Sequence, residues 1–215
     1  MVFQKIRKSH VDWRDFLCGT PASDYIFQKD AYEEQIENAV NFIKDADAVI
    51  IGAGAGASTA AGLEYGGKRF TDHFAEFIEK YGGHYMTDMY AAGFYPFPSE
   101  LVPKCPVCGG NMTMHLRCDN YFVEDEPWHE AADRYADFLD RNQSKKVVLI
   151  ELGVGFNTPI IIRFPFEKLV REHVTYRLIR LNMDEAVVPE SFGNRAIGIG
   201  GDMAGAITDI GRLIG

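Results

Sequence analysis

The sequence predicts an α/β protein built on a doubly wound parallel sheet, and three observations carry that prediction. Ala48-Val49-Ile50-Ile51 is a short apolar, β-branched run of the kind buried inside parallel sheets, and it breaks into Gly52-Ala53-Gly54-Ala55-Gly56. A second run, Val147 to Leu152, ends in Gly153-Val154-Gly155. Two shorter runs follow, Tyr176 to Leu181 ending at Asn182, and Ala196 to Ile199 ending at Gly200-Gly201-Asp202. Strands that close on glycine or asparagine, with helical or irregular stretches between them, spell alternating β and α elements around one sheet.

The first of these strands organises the rest. Gly52, Gly54 and Ala57 satisfy the G-x-G-x-x-G/A pattern, and small residues continue to Gly62. Small side chains let backbone amides approach a diphosphate closely, and a helix start favours its negative charge. This Rossmann-like reading stands beside a plainer one, in which the glycines only pack helix on strand. An ordinary dehydrogenase needs a second strand ending in an acidic residue about twenty positions on. Leu63 to Phe70 does not read as that strand, and Asp72 lies in a polar, aromatic stretch.

A chain of 215 residues, 47% of them hydrophobic, can bury a sizeable core. Its formal charge of −9 and pI near 5.1 argue against a nucleic-acid-binding face and against docking on anionic membranes. No apolar run is long enough to span a bilayer, and Met1 to Arg14 lacks a signal-peptide core. Four cysteines, two of them in one C-x-x-C, do not suggest a disulfide scaffold. The expected location is cytoplasmic.

In chain order, Met1 to Asp30 carries no clean period, and Cys18 reads as packed rather than reactive. From Ala31 to Lys44, Tyr32, Ile36, Ala39, Val40 and Ile43 follow helical spacing and lead to the strand at Ala48. Phe70, Phe74, Phe77 and Ile78 mark a helix from Phe70 to Tyr81. His73 and His84 read as surface or hydrogen-bonded histidines. Met86 to Pro103 is irregular. Cys105-Pro106-Val107-Cys108-Gly109-Gly110 then resembles half of a zinc ribbon, which His115 and Cys118 could complete; the alternative is a metal-free loop. Trp128, Ala131, Ala132, Tyr135, Phe138 and Leu139 predict an amphipathic helix over Pro127 to Arg141, with Glu124-Asp125-Glu126 as helix-end acids. Met203 to Ile214 predicts a closing helix. The expected division is a nucleotide lobe at about 31–84 and 127–215, a small lobe at about 85–126, and one unit over 1–215.

Taken together the blocks resemble the sirtuin family. Gly54-Ala55-Gly56-Ala57-Ser58, with Gly62-Leu63 behind it, is similar to the family signature opening Gly-Ala-Gly-Ile-Ser. Lys68-Arg69-Phe70, Leu101 to Gly109, Leu116-Arg117-Cys118-Asp119 and Glu151 to Pro159 resemble the macrodomain-linked class M members more narrowly.

The resemblance implies NAD binding, cleavage of the nicotinamide–ribose bond, and transfer of ADP-ribose to a protein, for class M a lipoylated carrier related to the glycine cleavage H protein. It implies that Gly54, Ala55, Gly56, Ser58 and Gly62 hold the phosphates and nearby ribose, with Arg69 near the family arginine. It places Gly153, Gly155 and Asn157 by the adenine-side ribose, Asn182 after its strand, and Asp202 and Met203 on the adenine-side loop. It implies zinc on Cys105 and Cys108. The family's Asn-x-Asp motif and histidine base have no counterpart between Tyr85 and Lys104, and the first C-x-x-C is missing, so no catalytic residue is assigned. Besides the transferase, a lysine deacylase and a non-catalytic module binding NAD or ADP-ribose remain open.

Overall fold

The computed structural model describes residues 20–63, 67–81, 104–112, 122–156 and 158–215. The chain groups into two compact units, Met1–Leu63 with Leu139–Gly215, and Glu64–Phe138.

The first unit is a parallel sheet between helices. Its strands are β2 (Ala48–Ala53), β3 (Val147–Leu152), β4 (Arg177–Asn182) and β6 (Ala196–Gly200), in the order β2-β3-β4-β6 with every pair parallel. Two-residue strands β1 (Tyr25–Ile26) and β5 (Val188–Pro189) form a separate antiparallel pair. Helices α1 (Tyr32–Lys44), α2 (Ala55–Ala60), α5 (Arg163–Glu172) and α6 (Met203–Ile214) complete the unit.

Alternation along the strands builds two cores. Val148 of β3, Ile179 and Leu181 of β4 and Ile197 and Ile199 of β6 pack on Ile36, Ala39 and Val40 of α1 and on Met203, Ala206 and Ile210 of α6. Val147, Leu149 and Leu178, one step out of phase, pack on Phe166 and Val170 of α5. The period of two sends successive side chains to opposite faces, so a strand covered on both sides reads as continuously apolar. The α/β parallel architecture expected from the sequence is therefore present, with helices on both faces.

The two edges differ. Outside β6, Gln28 acts as a one-residue strand: its Nε2 donates to Ala196 O at 2.9 Å, and its Oε1 accepts from the Gly198 amide at 2.8 Å. At the other edge, Val49 and Ile51 of β2 remain 39% and 62% exposed.

The second unit holds α3 (Gly67–Tyr81), bent where Phe74 leaves helical geometry, and the start of α4 (Glu126–Asn142). Asp125 Oδ1 accepts the Trp128 amide at 3.1 Å, so this acid of the Glu124-Asp125-Glu126 run serves the helix end, as expected. Residues 104–112 form a knuckle. Lys104 bridges to Asn111, Cys105 N–H donates to Gly110 O at 2.8 Å, and Gly109 N–H donates back to Cys105 O at 2.9 Å with Gly109 at φ +70°. Among the described residues the knuckle carries one bridge and no further strand of a zinc ribbon. His115 and Cys118 lie outside the described residues, as do Cys18 and His84.

Candidate functional site

Parallel strands deliver all their carboxyl ends to one side, where open α/β sheets bind ligands. Here β2 ends in Gly54, β3 in Gly153, β4 in Asn182 and β6 in Gly200-Gly201-Asp202.

The turns after β2 and β3 clasp each other. Gly54 N–H donates to Leu152 O at 2.8 Å, and Gly153 N–H donates to Leu181 O at 2.8 Å, each prolonging its ladder by one bond. Gly56 N–H then donates to Gly153 O at 3.0 Å. The approach leaves no room for a side chain. A Cβ on Gly54 would lie 2.7 Å from Gly153 O, one on Gly56 would lie 2.7 Å from Gly153 Cα, and one on Gly153 would lie 2.6 Å from Gly56 Cα and Ala57 N. Gly153 also sits at φ +60°, where a β-carbon is strained. Backbone-on-backbone packing thus accounts for all three glycines. Of the first amides of α2, Gly56 and Ala57 donate to Gly153 and Gly54 oxygens, while Ala55 has no acceptor among the described residues. Ser58 and Gly62 are exposed beyond this turn, Gly62 at φ +85°.

The turn after β3 is fastened from below. Asn182 Nδ2 donates to Val154 O at 3.1 Å, while Asn182 Oδ1 accepts the Asp184 and Glu185 amides at 3.1 and 3.0 Å. Glu185 Oε2 accepts the Phe156 amide at 2.8 Å. Arg163 Nη2 donates to Val154 O at 2.6 Å and to Glu185 O at 2.9 Å.

Beneath lies a buried charge network that the sequence reading did not anticipate. Glu151 of β3 and Arg180 of β4 are register partners, joined by Nε–Oε1 and Nη2–Oε2 bonds of 2.8 and 2.9 Å. Arg180 also donates to Glu167 at 2.9 Å, Arg163 Nε donates to Glu151 at 3.2 Å, and Tyr25 OH donates to Glu167 at 2.5 Å. All four charged side chains are fully buried, two of each sign. Burial, then the Arg180 charge, push Arg163 down to about 10, which leaves it protonated at neutral pH. Burial also opposes the charge on Arg180, but Glu151 and Glu167 overcome it and hold Arg180 above its ordinary value. The signal was an opposite-charge pair at matching positions of two apolar runs, legible only once their register is known.

The remaining expected residues are scattered in role. Gly155 follows the clasp. Asp202 caps α6, its Oδ1 accepting the Ala204 amide at 3.0 Å, and Met203 is buried in the core against α1 and the sheet. Arg69 lies in α3 of the second unit, described by its backbone alone, and Asn157 lies outside the described residues. Among the described residues no group of three or more His, Cys, Asp or Glu could hold a metal. None of their helices is long and apolar enough to cross a membrane.

A cleft of about 560 Å³ opens at the opposite, amino ends of the strands and contains none of the expected residues. Its cations are committed. Lys146 and Arg177 both reach Asp45, at 2.6 and 3.1 Å, and Arg195 Nη1 donates to Val170 O at 2.6 Å.

No family model matches the chain. It is similar to a protein ADP-ribosyltransferase of Staphylococcus aureus, 23% identical over 279 aligned positions that cover 83% of this chain and 88% of that protein. It is also similar to a probable bifunctional ADP-ribose hydrolase/ADP-ribosyltransferase of Fusarium oxysporum, 38% identical over 96 residues. That match covers 43% of this chain and 16% of the fungal protein. The 279 positions of the first match exceed the 215 residues of this chain, so the bacterial protein carries residues inside the matched span that this chain lacks.

Proposed function

We propose that this chain is a sirtuin-type, NAD-dependent protein ADP-ribosyltransferase, nearest the class M members. The observation that carries the reading is the clasp of Gly54, Gly56 and Gly153 at the carboxyl ends of adjacent parallel strands. The similarity to proteins named as ADP-ribosyltransferases supports it independently. In this reading Gly54, Ala55, Gly56, Ser58 and Gly62 take the diphosphate and nearby ribose, and the Ala55 amide is the donor left over for it. Gly153, Gly155 and Asn157 take the adenine-side ribose. Asn182 fastens the turn after β3 through Val154 O, and Asp202 and Met203 belong to the adenine-side loop. Arg69 stands for the family arginine, as the resemblance implies.

Cleavage of the nicotinamide–ribose bond leaves positive charge on the sugar, which preorganised dipoles in a dry site stabilise. The acceptor is a protein, for class M a lipoylated carrier, and the setting is the cytoplasm. The nucleotide lobe spans about 31–84 and 127–215, the small lobe about 85–126. Cys105 and Cys108 supply half of a tetrahedral zinc site, and the depressed Cys105 thiol suits a metal ligand. His115 and Cys118 would complete it.

A second reading, a module that binds NAD or ADP-ribose without chemistry, is favoured by the shortfall of this chain against the bacterial relative. Incubating the purified chain with NAD and a lipoylated carrier, with nicotinamide followed by chromatography, separates the two. Nicotinamide release with a mass gain on the carrier is expected of the transferase, and calorimetric binding without release supports the module. Release that instead requires an acyl-lysine peptide would mark a deacylase.

A further inference from the structure

We infer that Arg163 is a positioning residue for the nucleotide: it sets the shape of the turn after β3 and through it the affinity for NAD. The inference rests on the reading of the glycine turns as the NAD site.

Arg163 opens α5 yet spends its guanidinium on another part of the chain. Nη2 ties Val154 O to Glu185 O, Nε takes Glu151, and the plane lies 4.1 Å over the Phe156 ring. Glu185 returns the contact through the Phe156 amide, and Phe156 meets Tyr25 edge-on at 5.6 Å. Residues 154–156 are therefore held at both carbonyl and amide, immediately after the glycine that packs on Gly56.

The arrangement is not the cheapest way to fill the space. Arg163 is fully buried, burial depresses its proton affinity, and its Nη1 has no acceptor among the described residues. A buried charge with a spare donor is commonly no more stable than an apolar side chain of similar volume. What an apolar residue cannot do is bridge two carbonyls from different turns in one plane. That bridge is the property the turn uses.

Calorimetry with NAD on the full chain and on Arg163→Gln, Arg163→Lys and Val170→Ala tests this, with circular dichroism as the fold check. Val170 is a fully buried core residue of the same helix, so its truncation lowers stability by a route that does not pass through the turn. Arg163→Gln is expected to raise the Kd for NAD by at least about tenfold, the worth of one charge-assisted hydrogen bond. Arg163→Lys should recover part of that loss, and Val170→Ala should leave Kd unchanged. Should Arg163→Gln not fold, Glu185→Ala, which frees the Phe156 amide, carries the same expectation. Folded Arg163 variants that bind NAD within twofold of the parent chain would overturn the inference and leave the NAD site standing. A parent chain that binds no NAD would instead remove the site reading and this inference with it.

Discussion

Glu151 and Arg180 sit where a parallel strand normally places valine or isoleucine, and they are tolerated because each finds several partners. Arg180 donates to Glu151, Glu167 and Val187 O, so none of its nitrogens is left in a dry interior. Removing one partner of such a set strands the other's charge, at about 3–5 kcal/mol. Arg180→Met should therefore lower unfolding free energy by about that much in urea titration, and a loss near zero would mean the four charges are not coupled. Cys105 makes a separate prediction. Backbone amides of Cys108 and Val107, and then the Cys108 thiol, hold its thiol below the ordinary cysteine value. Since the thiolate is the nucleophile, alkylation of Cys105 by iodoacetamide should set in at lower pH than for free cysteine. Mass mapping across a pH series reads this, and a midpoint at or above the free-cysteine value contradicts it.

The elements show why some of the chain was readable and some was not. β3 and α6 have the bounds the sequence predicts, Val147–Leu152 and Met203–Ile214, because a pure apolar run and a capped amphipathic stretch leave little choice. β1 and β5 are two residues each, too short for any period. Helix α5 buries Arg163, Phe164, Phe166, Glu167 and Val170, a proper helical stripe, but two of the five are charged and Pro165 interrupts its first turn. A hydropathy pattern cannot see a stripe made partly of ion pairs. The glycine turns were legible as turns, but their reason was not: Gly54 and Gly56 answer to Gly153, a residue about a hundred positions away, and only the β2–β3 register brings them together. The resemblance assigns Asp202 and Met203 to the adenine-side loop, and in the fold the Asp202 carboxylate also caps α6 while Met203 also packs in the core. Asp202→Ala should accordingly destabilise by about 1 kcal/mol through the lost cap, while Asp202→Asn, which still accepts the Ala204 amide, should be near neutral. Thermal melts of the two variants distinguish a cap from a residue that matters only when nucleotide is bound, for which both would melt like the parent.

At the scale of the molecule, the proposed NAD site asks an acidic chain of net charge −9 to attract a diphosphate against its own field, and in that reading recognition falls to local amides rather than to long-range charge. Ligand bound only by the folded state then stabilises it by mass action, about 2.7 kcal/mol at a concentration a hundredfold above Kd. For a chain of this size that corresponds to a rise in Tm of roughly 5–10 °C. NAD should produce this shift in a calorimetric scan of the full chain, with little dependence on salt, because the glycine turns carry no cluster of lysines among the described residues. Gly153→Ala supplies the matched control: its Cβ would meet Gly56 and Ala57 backbone at 2.6 Å, in a conformation a β-carbon resists, so the two turns must part. That variant should retain the far-ultraviolet spectrum of the parallel sheet while losing the NAD-dependent shift. If the parent chain melts cooperatively and NAD moves it no further than it moves Gly153→Ala, the clasp is only a joint between two strands.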